Sequence, residues 1–222
     1  MLAAGTIRDE FSELFDVYTW IAIGIFALVV VLTVTFAVVF RSSGDELPKG
    51  RHKNMPLELS YVALLACVVG LLVYLTYSTM DSGPYEATAQ GGQPAEVDPH
   101  ALPIDVTASR WNWRFSYPQQ GVVVQGTGGR TPTLTVPQNR RVTLRMRSTD
   151  VIHAIWIPEL RFKQDVFPGF TTTMTVVFPN AGLMREGGEC NQFCGLHHAD
   201  MDFDIDVLPA GQFDRWATEA AA

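Results

Sequence analysis

The residues best equipped for chemistry lie in one run near the C-terminal end, Cys190-Asn-Gln-Phe-Cys194-Gly-Leu-His197-His198-Ala-Asp-Met201. Two thiols four residues apart are followed, at short spacing, by imidazoles and a thioether. Soft sulfur plus imidazole selects copper, and a His/Cys set with a weak Met is the pattern of electron-transfer copper. One blue-copper ion needs a single Cys, two His and a Met. Here a second thiol sits one loop turn away and can hardly be kept out of the site. Two thiolates that both bridge hold two coppers, and two histidines are then needed, one per metal. The second histidine should come from another strand. His153, in Ser148-Thr-Asp-Val-Ile-His153-Ala-Ile-Trp-Ile-Pro158, is the candidate, in a β-like run far upstream.

Three other readings of the same residues stand beside this one. A Cys-x3-Cys pair can form a disulfide in an oxidising compartment. With His153 and His198 it can bind zinc as a Cys2His2 set. A thioredoxin-fold copper chaperone of the Sco type also carries a Cys-x3-Cys and a distant His. None of the three explains Met201 at its spacing, or the aromatic run Arg110-Trp111-Asn-Trp113-Arg-Phe115-Ser-Tyr117.

The elements that must position these residues can be read from patterning. The chain has 222 residues, 47% of them hydrophobic, with a net charge of −7. That length accommodates one soluble domain of ordinary size plus membrane-spanning segments. Residues 1–99 hold 11 of the 23 acidic residues but 5 of the 16 Lys and Arg, so the net acidity belongs to that half. No basic stripe or basic fold motif points to nucleic acid. Residues 1–16 lack the basic start and the cleavage site of a secretory signal. Val17–Phe40 and Leu59–Met80 are uncharged runs, each long enough to cross a bilayer as a helix. Cys67 lies inside the second and reads as a small lipid- or helix-facing residue. The loop between the runs carries Arg41, Lys49, Arg51 and Lys53, whereas the outer flanks are acidic, with Asp9, Glu10, Glu13 and Asp16 before and Asp81, Glu86, Glu96 and Asp98 after. The positive-inside rule then puts the loop in the cytoplasm and both termini outside the cell membrane.

Ser82–Pro103 is rich in Gly, Pro, Ala and Gln and reads as a linker. Beyond it, short strand signals dominate: 102–106, 122–124, 133–136, 142–146, 171–178 and 203–207, punctuated by Pro, Gly and Asn turns. Val142, Leu144 and Met146 alternate with polar neighbours, as on a half-buried strand. Such a series predicts a sandwich or barrel. Residues 212–220 read as a short terminal helix. The expected division is an outer segment 1–16, transmembrane helices 17–40 and 59–80 around a cytoplasmic loop 41–58, a linker 81–103 and a β-domain 104–222.

Taken together, these motifs resemble cytochrome c oxidase subunit II, the CuA subunit of the haem–copper respiratory oxidases, over nearly the whole chain. The Cys-x3-Cys-x3-His-x2-Met pattern, read with His198, is specific when a β-domain precedes it. The resemblance implies a two-helix transmembrane hairpin followed by an all-β, cupredoxin-like Greek-key sandwich or barrel. It implies a dinuclear CuA centre in which Cys190 and Cys194 bridge both coppers. One copper takes His153 and a weak Met201 sulfur; the other takes His198 and the backbone carbonyl of Gln192. His197 is adjacent, but family spacing favours His198. His52 and His100, in the loop and linker, read as solvated.

By the same resemblance Trp111 receives the electron from the donor, a c-type cytochrome or a blue-copper protein, and the chain passes it to haem in subunit I. There O2 is reduced to water with proton translocation, and subunit III completes the expected assembly. Asp150, three residues before a ligand, fits a role in orienting it. Lys163 and Asp165, in Leu160–Gly169, resemble residues of the loop that faces subunit I. The family's usual Glu between the cysteines, which helps bind magnesium, is Gln192 here. A neutral amide is a weaker ligand for that hard cation, which leaves the interface magnesium doubtful. Glu58, at the start of the second helix, matches a Glu that marks a proton pathway; Tyr61 stands where the family has Trp, and capping or snorkelling explains an ionisable residue there equally well. The loop 116–126 carries no acid, so docking around Trp111 is expected to rest on Tyr117, Val122, Val123 and Val124. The rivals are the CuA subunit of a nitric oxide reductase and a membrane-anchored copper chaperone. Quinol-oxidase subunits lack the copper ligands and are disfavoured.

Overall fold

A computed structural model describes residues 7–41, 53–82, 100–127 and 130–221. Two compact units result, one of which is residues 10–82. Here helix α1 (Ile7–Val39) and helix α2 (Met55–Ser82) pack together. Tyr18 Oη donates to the Leu72 carbonyl at 2.8 Å and lies 2.6 Å from Thr76 Oγ1. Within these helices, Phe11–Val39 and Met55–Ser78 are long and apolar enough to cross a membrane. Their outward faces expose Trp20, Phe26, Leu64 and Tyr74.

Both helices start before the uncharged runs. Charge does not break a helix, and α2 has its own start signal. Asn54 Oδ1 accepts from the Leu57 amide, and Glu58 Oε1 accepts from the Asn54 amide at 3.2 Å. This reciprocal cap satisfies amides left free by the first turn. Glu58 is therefore a helix-capping residue of α2 rather than part of the connecting loop. Most of that loop, and residues 83–99 of the expected linker, lie outside the described residues.

The other unit is the β-domain, with ten strands among the described residues: β1 (Leu102–Ser109), β2 (Asn112–Tyr117), β3 (Val122–Gln125), β4 (Thr133–Pro137), β5 (Arg141–Ser148), β6 (His153–Ile157), β7 (Phe162–Val166), β8 (Thr172–Val177), β9 (Gly182–Cys190) and β10 (Asp202–Leu208). Helix α3 (Ala210–Ala220) follows and buries Phe213 and Ala217. The strands form two five-stranded sheets, ordered β3-β2-β1-β5-β8 and β4-β10-β9-β6-β7. Pairing is antiparallel except for β1 with β5 and β4 with β10. The fold is two apolar helices followed by a cupredoxin-like β-domain.

Period-2 alternation builds the core. Leu102, Ile104, Val106 and Ala108 point inward from β1, Trp113, Phe115 and Tyr117 from β2, and Val142, Leu144 and Met146 from β5. Phe203 of the opposite sheet meets Trp113 and Phe115 edge to face, with ring centroids 5.6 and 5.3 Å away. Each such side chain contributes roughly 1.5–3 kcal/mol by burial. Tyr117 Oη accepts from the Thr135 amide at 2.9 Å, and burial pushes the phenol's pKa up despite that bond.

Strands β7 and β9 carry no such alternation and are absent from the strand signals read in the sequence. The β9 segment, Gly-Leu-Met-Arg-Glu-Gly-Gly-Glu-Cys, is a strand because its neighbours demand one. Glu186 adopts φ 49° at a register shift opposite Phe203 and Ile205. Buried Asp204 takes the Glu186 amide at 2.9 Å and Arg185 Nη1 at 2.8 Å. Gly188 is obligatory, since a Cβ there would fall 1.9 Å from Phe203 Cζ. Gly188→Ala is expected to cost about 1–3 kcal/mol by overpacking, read as a lower urea midpoint of the β-domain; an unchanged midpoint would show that the Phe203 ring can move aside.

Candidate metal centre

Strand pairing brings the chemical residues together. β9 and β10 form a hairpin whose loop is the motif 191–200, closed at its base by Cys190 N donating to Met201 O at 3.0 Å. Trp113 Nε1 donates to the same carbonyl at 3.0 Å from within the core. On the other side β9 pairs with β6, Ile155 opposite Cys190, and Asn191 N donates to Ala154 O at 2.9 Å. That register carries His153, the first residue of β6, to the mouth of the loop.

Six potential ligand groups gather there. Cys190 Sγ and Cys194 Sγ are 3.9 Å apart, both free thiols and both buried. His153 Nδ1 lies 3.7 Å from Cys190 Sγ, and the Gln192 carbonyl oxygen 3.5 Å from it. His198 Nδ1 lies 3.6 Å from Cys194 Sγ, and Met201 Sδ 3.9 Å from it. His153, Cys190 and Cys194 offer ligand atoms within 4.8 Å of one another. His198 stands outside that group and approaches from the Cys194 side.

Asp150 orients His153. Its Oδ1 lies 2.9 Å from His153 Nε2, which turns Nδ1 toward the sulfur. The same carboxylate accepts from the backbone amides of Arg110 and Val151, both at 2.7 Å. Burial raises the Asp150 pKa, but the bonds from His153 and the two amides outweigh it and hold the carboxyl well below the usual range. Burial would lower His153; its contacts with Cys190 and Asp150 prevail and raise it. Of the thiols, Cys190 is opposed by burial yet lowered by His153 and by backbone contacts. Cys194 is pushed up by burial and then by its neighbour Cys190. One thiol thus ionises ahead of the other, as expected of two sulfurs sharing one dry site.

Trp111 sits in the turn between β1 and β2, half-buried rather than fully exposed. Its indole lies over the motif loop: a Cβ on Gly195 would be 3.2 Å from Trp111 Cζ2. Trp113 is the core tryptophan. His197 makes no contact with the sulfurs among those described; its Nδ1 lies 3.2 Å from Asp200 Oδ2. Lys163 and Asp165 lie on β7, an edge strand paired with β6, and not in a loop. Lys163 is exposed and Asp165 half-buried. The expected apolar face around Trp111 is not there. Tyr117 and Val122 are core residues, and of the four only Val123 is fully exposed. The exposed apolar groups are instead Phe193 and Leu196 of the motif loop, 79% and 84% exposed. Their place beside Cys194 in the short motif loop was the available signal.

A cupredoxin-like β-domain with a sulfur–imidazole cluster at the mouth of a strand hairpin, preceded by two apolar helices, defines a class of membrane-anchored metal domain. Residues 130–208 match the family described as cytochrome C oxidase subunit II, periplasmic domain. Cytochrome c oxidase subunit 2 of Alkalihalophilus pseudofirmus is 28% identical over 214 residues, covering 93% of this chain and 59% of that protein. The Bacillus subtilis protein of the same name is 29% identical over 227 residues, covering 97% and 60%. The chain thus spans about three fifths of the length of these relatives. The crystal structure of the periplasmic domain of cytochrome oxidase subunit II from Bradyrhizobium japonicum matches at 25% identity with a TM-score of 0.50, covering 56% of this chain and 96% of that one. The β-domain is thus similar in sequence and in fold to the periplasmic domain of cytochrome c oxidase subunit II.

The lowered Asp150 pKa has a signed consequence. A carboxylate whose folded pKa is depressed stabilises the fold above its unfolded value, about 3.9, and loses that contribution as pH falls through the folded value. Asp150→Asn should therefore destabilise the metal-free β-domain by about 1.5–3 kcal/mol near neutral pH. The gap from wild type should narrow below about pH 4. Urea unfolding across pH checks this, and a gap independent of pH would remove the ion pair from the account.

Proposed function

We propose that this chain is the electron-accepting CuA subunit of a terminal respiratory oxidase. The observation that carries the reading is a cluster of six donors, two of them buried sulfurs 3.9 Å apart. The donor set is soft and suits copper. A single tetrahedral zinc, with bonds of about 2.0–2.3 Å, would gather all four Cys and His ligands around one point. His198 stands outside the group formed by His153 and the two thiols, an arrangement that favours two metals.

In this reading Cys190, Cys194, His153, His198, Met201 and the Gln192 carbonyl would hold the copper centre. Bound there, two coppers would share one unpaired electron and exchange single electrons with little change in bonding. Asp150 holds the His153 tautomer with Nδ1 free toward the site. The core contact of Trp113 with Met201 O keeps the loop base fixed. Trp111, lying over the loop, receives electrons from a c-type cytochrome or blue-copper donor. They pass to haem in subunit I, where O2 is reduced to water and protons are translocated, in an assembly that includes subunit III. Lys163 and Asp165 on the edge strand would meet subunit I. Glu58 would feed a proton pathway there in addition to capping α2. Gln192 offers a neutral amide in place of a carboxylate, so the interface magnesium stays doubtful.

Variants test the site. Cys190→Ser or Cys194→Ser should abolish the mixed-valence absorption, since hard oxygen is a poor bridge for reduced copper. Met201→Leu should keep a dinuclear centre with a shifted potential, and Trp111→Gln should slow electron uptake with the spectrum unchanged. Loss of copper in Met201→Leu together with its retention in His198→Ala would overturn the assignment. Binding of a single copper by wild type would favour the chaperone reading instead.

The flanking charges favour a topology with both termini and the β-domain outside the cell membrane. A periplasm-dependent reporter fused after Ala222 should be active, and one inserted near Gly44 silent. The reverse pattern would sink both the orientation and the proposed role.

A further inference from the structure

We infer that His197 is a positioning residue for electron uptake, clamping the Trp111 indole against the motif backbone at Gly195; the inference rests on the CuA reading above. Its ring meets Trp111 edge to face, with centroids 4.8 Å apart and planes at 76°. Its Nδ1 lies 3.2 Å from Asp200 Oδ2, which fixes the ring's rotation. Nothing polar does this work for the tryptophan itself. Trp111 Nε1 is buried and has no hydrogen-bond partner, so packing alone orients the indole.

Two surfaces supply that packing. The first is Gly195, whose φ of +122° and missing side chain let the indole lie close: a Cβ there would be 3.2 Å from Cζ2 and 3.4 Å from Nε1. The second is His197, whose ring meets the indole edge to face. Gly195 is covalently joined to Cys194, so a Trp111 ring held on Gly195 is one residue from a bridging sulfur. Electronic coupling decays steeply across a through-space gap, and an indole free to swing off Gly195 would widen it. His197 closes the contact without being a ligand, since its ring is committed to Asp200 and Trp111. It is 54% exposed in its side chain, so removing it opens no core cavity. Adjacent His198, by contrast, turns to Cys194. Consecutive residues point to opposite sides of the loop, which divides the two histidines between metal and tryptophan.

The test uses the full chain in detergent, loaded with copper, comparing wild type, His197→Ala and His197→Phe. Electron uptake is followed from a photo-excited ruthenium bipyridine complex and from a c-type cytochrome. The Trp111 resonance is followed by 19F NMR after fluorotryptophan labelling. In His197→Ala, the copper content and visible spectrum should match wild type, the Trp111 resonance should shift, and uptake should slow roughly three- to tenfold, an aromatic pair's contribution expressed as a population ratio. His197→Phe should restore the rate, because an aromatic edge suffices. Unchanged rate and resonance in His197→Ala would overturn the proposal, and so would loss of copper, which would make His197 a ligand. Failure of the CuA reading shows separately, in the wild-type spectrum, while the 19F comparison still decides whether His197 holds Trp111.

Discussion

Two sulfur atoms that repel as thiolates are held 3.9 Å apart in a nearly dry pocket, and much of the β-domain serves that placement. Neither sulfur is fixed by its own loop alone. The loop leaves β9 at Cys190 and returns to β10 at Met201, and the Cys190–Met201 backbone bond makes these two residues a rigid base. Trp113 locks the base from below through the Met201 carbonyl. The indole sits in the sandwich core against Phe203, and Phe203 in turn requires a side-chain-free position at Gly188. A chain of contacts thus runs from the bulged middle of β9 to the ligand loop. A site supported this way is set in geometry before any ion arrives, which is what preorganised ligation demands.

Asp150 extends the frame to the second half of the site. One carboxylate joins three segments: the β1–β2 turn through the Arg110 amide, its own loop through Val151, and His153 at the start of β6. The turn that carries Trp111 and the strand that carries His153 are therefore tied at a single group. Since Trp111 also rests on the motif loop at Gly195, the tryptophan is fixed to both sides of the cluster. The indole and the sulfur–imidazole cluster are in this way built on one connected piece of backbone rather than on two loops able to drift apart.

The sequence made the β-domain and the clustering of the sulfur and imidazole side chains legible where side-chain chemistry is local. Alternation in β1, β2 and β5 follows from burial of one face, and the Cys–Cys–His–Met run is compact enough in sequence for one loop to gather its side chains. Strand β9 was not legible, because its bulge, its glycines and its charges answer to Phe203 and Asp204 across the hairpin and not to a period of its own. Strand β7 was hidden for a related reason: an edge strand needs only one partner, β6, and carries a mixed polar sequence. The helices extend past their apolar runs because helix ends are set by caps such as Asn54 and Glu58. Tyr117, expected outside, went into the core because β2 continues the alternation begun at Trp113, and Val122, its cross-strand partner on β3, follows it to the same face. His197 was weighed only as a rival ligand, since nothing in a one-dimensional reading places it against a tryptophan far upstream.

The proposal of a dinuclear centre is decided by copper stoichiometry combined with electron paramagnetic resonance on the wild-type full chain. The account predicts two coppers per chain and, in the oxidised state, a hyperfine pattern from one unpaired electron shared equally by both nuclei. One copper per chain with a hyperfine pattern from a single nucleus, or a chain that takes zinc in preference and shows no such signal, would contradict it.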